Sequence, residues 1–279
     1  MLINTENLTK HLRDPAWVIF DCRHDLFDLA KGERHYREGH IPGAHFANID
    51  TDLSGDKTGK NGRHPLPSPA AFTAFLARHG VSNSSTIVAY DDVGGQFASR
   101  LWWLARWIGF ANVSLLDGGI TNWIADGHAL STDVPAPAPA ALHGQAEPCM
   151  TWSAADVLAH INDKNIALID ARAAERYRGE TEPIDPVAGH IPNALNRFYK
   201  ANLHADLTFR AADDIKRDFD VLTNHKRAEH AVHYCGSGVT ACANVFAMEY
   251  AGLTGSKLFA GSWSEWVADP TRPVVQQGK

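Results

Sequence analysis

Cysteine is scarce in this chain, and its placement excludes more than its number does. The 279 residues hold four, Cys22, Cys149, Cys235 and Cys242, widely scattered and with no C-x-x-C pair among them. That spacing argues against a zinc ribbon, a dithiol redox motif and a disulfide framework. The fifteen histidines show no H-E-x-x-H spacing, so no metal is expected, and nothing calls for a cofactor. No apolar run approaches the ~20 residues that cross a bilayer. The opening residues Met1–Asn7 lack the basic and apolar regions of a signal peptide and the Arg-rich look of a transit peptide. Basic residues are outnumbered, 26 against 32 acidic, for a net charge of −6. Neither nucleic acid nor an anionic membrane surface is therefore an expected partner. Reduced thiols and the missing signals together lead to a cytoplasmic expectation.

What is present is a soluble composition, 44% apolar and 21% charged, in a length that suits two domains. The chain is written twice. Asp21-Cys22-Arg23 recurs as Asp170-Ala171-Arg172, and Gly39-His40-Ile41-Pro42 as Gly189-His190-Ile191-Pro192. Val88-Ala89-Tyr90-Asp91 recurs as Val232-His233-Tyr234-Cys235, and the run from Gly118 to Trp123 as that from Gly261 to Trp266. The offsets stay between 143 residues (Gly118 to Gly261) and 150 (Gly39 to Gly189), in unchanged order. That is a tandem duplication, not a short-period solenoid. Between the copies Pro135-Ala136-Pro137-Ala138-Pro139-Ala140 alternates, which favours an extended, semi-rigid connection. The expected division is a first domain over 1–130, a linker over 131–149 and a second domain over 150–279.

Each copy reads as α/β. Trp17–Asp21, Thr86–Tyr90 and Val113–Leu116 are short apolar runs that suit buried parallel strands. Ile166–Asp170, Ala231–Tyr234 and Lys257–Phe259 repeat them in the second half. Helical stretches such as Pro69–His79, Ala98–Trp107 and Ala241–Tyr250 lie between. The alternation predicts, in each half, a parallel sheet flanked by helices on both faces, with functional groups at the carboxyl ends of strands.

One such end carries a thiol. His233-Tyr234-Cys235-Gly236-Ser237-Gly238-Val239-Thr240-Ala241-Cys242 reads as strand, tight loop and helix start. Inward backbone N–H groups and a helix N-terminus favour an anion there, and a cysteine so placed ionises more readily than a free one. In the first copy the same position is Asp91.

With these motifs the chain resembles the two-domain rhodanese family of sulfurtransferases over nearly its whole length. The resemblance rests on Cys235–Ala241, the paired Gly-His-Ile-Pro blocks, the paired Asp-x-Arg strand ends and Gly-Ser-Trp-Ser-Glu-Trp at 261–266. It implies tandem rhodanese-like domains, the first non-catalytic and the second carrying sulfur as a Cys235 persulfide. Thiosulfate enzymes of the family usually carry Arg-Lys after the cysteine, whereas Gly236 and Ser237 stand here. The 3-mercaptopyruvate branch is therefore the expected one, with thiosulfate as the alternative donor. The expected acceptor is a thiol (thioredoxin or a small one) or cyanide.

The resemblance also implies site residues. Ser237, with His64 and Asp50 from the first half, matches a proton-handling triad. Backbone groups of Gly236, Gly238, Val239 and Thr240 would cradle the sulfur. Arg176 matches the arginine that holds the donor's carboxylate. A second family arginine, expected shortly before the later Gly-His-Ile-Pro block, is missing from Glu182-Pro183-Ile184-Asp185-Pro186; Arg197 is the candidate replacement. A phosphatase of the C-x5-R type would need arginine where Ala241 stands. A non-enzymatic binding module, the other rival, would have no need of Cys235.

Overall fold

The computed structural model describes residues 1–276. Two compact units form, each from more than one stretch of chain. The first takes residues 1–55, 67–147 and 203–209; the second takes 56–66, 148–202 and the described residues from 210 on. The Pro/Ala stretch belongs to the first unit and carries no regular structure. It is nonetheless tied down: the Ala140 N–H donates to the Ala77 carbonyl at 2.9 Å, and the Glu147 N–H to that of Trp107 at 2.8 Å.

In the first unit β1 (Leu2–Ile3), β2 (Trp17–Asp21), β3 (Ala44–Phe46), β4 (Thr86–Tyr90) and β5 (Val113–Leu116) form one parallel sheet in the order 1-5-4-2-3. In the second unit β6 (Thr151–Trp152), β7 (Ala167–Asp170), β8 (Leu195–Asn196), β9 (Ala231–Tyr234) and β10 (Lys257–Phe259) repeat that order as 6-10-9-7-8, again parallel. The longest strands are buried along nearly every residue, as parallel strands covered on both faces must be. Helices Pro69–Arg78, Ala98–Trp107 and Ala241–Tyr250 stand where the apolar periodicity places them.

The repeated motifs are scaffolding. Arg23 grips the Asp21 carboxylate with two nitrogens and donates to the Gly39 carbonyl at 2.7 Å. Arg172 does the same with Asp170 and the Gly189 carbonyl, also at 2.7 Å. Each sequence-repeat histidine stacks on a tyrosine: His40 on Tyr36 at 4.0 Å and His190 on Tyr177 at 3.8 Å. Both close their Nδ1–H on that tyrosine's own carbonyl. These contacts pin the loop after the second strand of each sheet to the strand ends, where β4 and β9 deliver Asp91 and Cys235.

Gly238 sets the path of the Cys235 loop. It holds φ at +79°, and a side-chain carbon there would overlap the Ala260 carbonyl oxygen. Left-handed backbone alone costs a non-glycine residue about 1–2 kcal/mol. Gly238→Ala should therefore lower the unfolding free energy by about 2 kcal/mol or more, read from urea denaturation; unchanged stability would contradict this account of the loop.

Two buried histidines give the fold an acid sensitivity. Burial pushes His233 down to about 3, and burial, with His79 and His40 nearby, pushes His45 down to about 4. Both stay neutral in the fold while the unfolded chain titrates near its ordinary value of about 6.5. Below that value the unfolded state binds the extra protons, so stability is lost as pH falls, by up to about 1.4 kcal/mol per pH unit for each histidine. His233→Leu should flatten this acid dependence by about 1 kcal/mol per unit in a series of denaturation curves. An unaltered slope would refute a neutral His233.

Candidate active site

The loop after β9 is anchored by the run at 261–266. The Cys235 N–H donates to Ser262 Oγ at 3.1 Å, and that hydroxyl donates to the Phe259 carbonyl at 2.9 Å. The N–H groups of Trp263 and Ser264 hold the carbonyls of Cys235 and Gly236 at 3.0 and 2.9 Å. Trp263 itself is fully buried, its Nε1–H on the Val187 carbonyl, so it is part of the core. Cys235 is 2% exposed. Cys242 lies within the following helix, fully buried, its thiol on the Gly238 carbonyl at 3.3 Å.

The first unit shows what such a loop does with a negative charge. Asp91, at the matching strand end, accepts N–H bonds from Val93, Gly95, Phe97 and Ala98 at 2.7–3.0 Å. Burial pushes its carboxyl up, against the pull of those four bonds. Asp91 has thus filled its own anion site with its own side chain. Cys235 heads the corresponding loop in the second unit.

Residues 56–66, although they lie within the first repeat of the sequence, are part of the second unit. Gly62 makes the seating possible: with φ at +84°, it lies where a side-chain carbon would come 2.7 Å from the Gly261 carbonyl oxygen. The next N–H, of Arg63, donates to Ser264 Oγ at 3.1 Å. This places buried His64 with Nδ1 2.7 Å from Ser237 Oγ. Asp50, the third expected member, belongs to the first unit, where His24 Nε2 is 3.8 Å away.

Beside the loop runs an alternating chain of charge, buried at the Asp170–Arg172 end and partly exposed at the other. From Asp170 it passes through Arg172 to Glu182, Arg176, Asp185 and finally Arg63. Glu182 bonds Arg176 at 2.6 Å and accepts the N–H groups of Ile184 and Asp185. Burial would raise its carboxyl, but Arg176 and those N–H groups outweigh it and hold Glu182 below the usual range. For Asp185 burial prevails: it pushes the carboxyl up in spite of Arg63 and Arg176.

A side-chain carbon built on Gly236 would meet Arg63 Nη2 at 2.9 Å and both terminal nitrogens of Arg176 at 3.7 Å. The structure therefore brings Cys235, Gly236, Ser237, His64 and Arg176 together. Arg197 is not among the atoms nearest Gly236. Its guanidinium is held by Asn202 and Asp218 at 2.9 and 3.1 Å and lies over the Phe219 ring. Arg63 was missed by sequence reasoning. Its signal was modest: adjacency to His64, and a glycine directly after the cysteine.

The comparisons with known proteins bear on family and fold. A family model described as the rhodanese-like domain matches residues 4–126 and 153–269. A Pseudomonas aeruginosa protein named "Probable 3-mercaptopyruvate sulfurtransferase" is 44% identical over 276 residues, covering 98% of this chain and 97% of that one. Human 3-mercaptopyruvate sulfurtransferase is 32% identical, covering 96% and 89%. Rat thiosulfate sulfurtransferase is 30% identical, covering 100% and 96%. Among solved structures, the 3-mercaptopyruvate sulfurtransferase from Leishmania major superposes with a TM-score of 0.83 at 28% identity, covering 95% of this chain and 74% of that one. SseA from Escherichia coli superposes with a TM-score of 0.80, also at 28% identity, covering 94% and 98%. The chain belongs to the rhodanese family, with one rhodanese-like domain in each half.

Proposed function

We propose that this chain is a sulfurtransferase that takes sulfur from 3-mercaptopyruvate onto Cys235 as a persulfide, releases pyruvate, and passes the sulfur to a thiol or to cyanide. The observation that carries this reading is the Ser237–His64 hydrogen bond of 2.7 Å, two residues from Cys235. A donor that leaves as a carbon anion needs a proton moved to carbon, and a hydroxyl–imidazole pair supplies that path.

The Cys235 thiolate attacks the donor's sulfur and forms the S–S bond. The donor's C–S bond breaks, and its electron pair goes to the methylene carbon of the pyruvate enolate. The proton on the donor's sulfur reaches that carbon through Ser237 and His64. Pyruvate departs and Cys235 is left as a persulfide anion. Backbone groups of Gly236, Gly238, Val239 and Thr240 receive that charge, as the Asp91 loop receives a carboxylate in the first unit. Cyanide or an acceptor thiolate then takes the outer sulfur and restores the Cys235 thiolate, which gives ping-pong kinetics. Arg176 holds the donor's carboxylate. Asp50 is carried over from the family resemblance; the proton path described needs only Ser237 and His64.

Thiosulfate is the second donor considered, on the strength of the rat thiosulfate sulfurtransferase's similarity. Thioredoxin or a small thiol serves as acceptor, in a reducing cytoplasm that suits four free cysteines. No helix among the described residues is long and apolar enough to cross a membrane.

Cys235→Ser should abolish pyruvate release, because no other described thiol heads the loop. A variant with wild-type turnover would end the proposal. Ser237→Ala and His64→Gln should each lower kcat by roughly a hundredfold or more. The double variant should lose no more than the worse single one, since the pair acts as a unit; multiplying losses would deny the shared path. With one acceptor, kcat/KM for 3-mercaptopyruvate should exceed that for thiosulfate, and the reverse order would select the second donor.

A further inference from the structure

We propose that the first unit carries a binding site for a small aromatic carboxylate, in a cavity between β3, helix Lys31–Glu38, the end of helix Pro69–Arg78 and the Pro/Ala stretch. All of its walls belong to the first unit, and none of them takes part in the sulfur transfer proposed above.

Three observations carry it. The first is a buried imidazole with nothing to bond. His45, on β3, is only 7% exposed, yet its side chain has no hydrogen-bond partner among the described residues. Its neighbours are rings, Phe20 at 5.8 Å and His79 at 4.9 Å between centroids. Buried polar side chains are nearly always paired. His45 lines the cavity, so the bond it lacks is one that a bound molecule can supply. Beside it, His79 closes Nδ1–H on the Phe75 carbonyl at 2.8 Å and keeps its other nitrogen without a partner among the described residues. Burial pushes both rings below their ordinary value, so near neutral pH each is uncharged and His45 has one N–H to donate.

The second is the size of the cavity and the nature of its walls. It holds about 590 Å³, within the roughly 300–1,000 Å³ of small-molecule sites. Tyr36 and Phe46 give it aromatic surface, and Val134, Pro135 and Pro137 give it an aliphatic side. That proline side is fixed at both ends. Before it, His40 and Ser131 exchange backbone bonds of 2.9 Å; after it, the Ala140 N–H holds the Ala77 carbonyl. Proline has no N–H to offer, so this wall takes the face of a ring rather than a polar group.

The third is charge. Arg37 and Arg78 line the cavity against one acid, Glu33. Arg37 uses Nε and Nη2 on Glu33, and Arg78 uses Nη2 on Asp52 at 2.7 Å. Each guanidinium has five N–H groups, so both keep donors for a further acceptor. Two guanidinia and one imidazole N–H select an anion, and they repel a metal cation that a pair of imidazoles could otherwise attract. A carboxylate answers these donors while its ring lies on the aromatic and proline walls.

Isothermal calorimetry with benzoate tests the assignment, with acetate as a probe that lacks the ring and benzyl alcohol as one that lacks the charge. Wild type should bind benzoate at a site that Arg176→Ala leaves in place, and should bind acetate and benzyl alcohol at least about tenfold more weakly. His45→Phe and Arg78→Gln should each weaken benzoate about tenfold or more. Arg78→Gln alters an exposed side chain, and serves as the readout if His45→Phe does not fold. Bound benzoate should also move the ring-proton NMR signals of His45. Absent benzoate binding, an affinity within twofold of wild type in the folded variants, or binding lost in Arg176→Ala would overturn the assignment. Zinc bound at His45 in preference to benzoate would overturn it as well. No readout depends on turnover, so the sulfurtransferase reading stands or falls separately.

Discussion

The rest of the second unit depends on one constraint: a tight loop at a strand end gathers backbone N–H groups, and something negative must occupy it. The chain poses this problem twice and answers it differently. In the first unit the Asp91 carboxylate collects four N–H bonds and closes the site with its own charge. In the second, Cys235 stands at that position, 2% exposed. Sheet order, the Asp-x-Arg clasps and the stacked histidines are shared by both units, because both loops need the same strand ends held in place. The residue at the strand end differs, Asp91 in one and Cys235 in the other.

The alternating charge chain makes the second unit's site stiff before any donor arrives. A buried acid or base that loses its partner costs about 3–5 kcal/mol, so Arg172, Glu182, Arg176 and Asp185 lock one another in position. Arg63 closes the chain on Asp185. Preorganised guanidinia avoid the ordering that free arginines would require on binding.

Much of this was legible in the sequence, for identifiable reasons. Parallel strands buried on both faces leave unbroken apolar runs, so Trp17–Asp21, Thr86–Tyr90 and Ala231–Tyr234 were found with their boundaries. Cys235 was legible because its loop lies within one short stretch. The partners of that loop were harder to read because they arrive from afar. His64 reaches Ser237 across 173 residues of chain, and Arg63 reaches Asp185 across 122. Position in the repeat put both in the first half, yet Gly62 and Ser264 seat their segment in the second unit. Arg197 was chosen because it is close in sequence to the missing arginine, but nearby Asn202 and Asp218 engage it instead.

The central claim, that Cys235 receives sulfur on an anion-gathering loop, is tested most directly by mass spectrometry of the protein after one equivalent of 3-mercaptopyruvate without acceptor. The account predicts one added sulfur atom, confined to the Cys235 peptide, with an equal amount of pyruvate released and the sulfur lost on adding cyanide. Pyruvate released with no sulfur on Cys235, or sulfur found on Cys22, Cys149 or Cys242 instead, would contradict it.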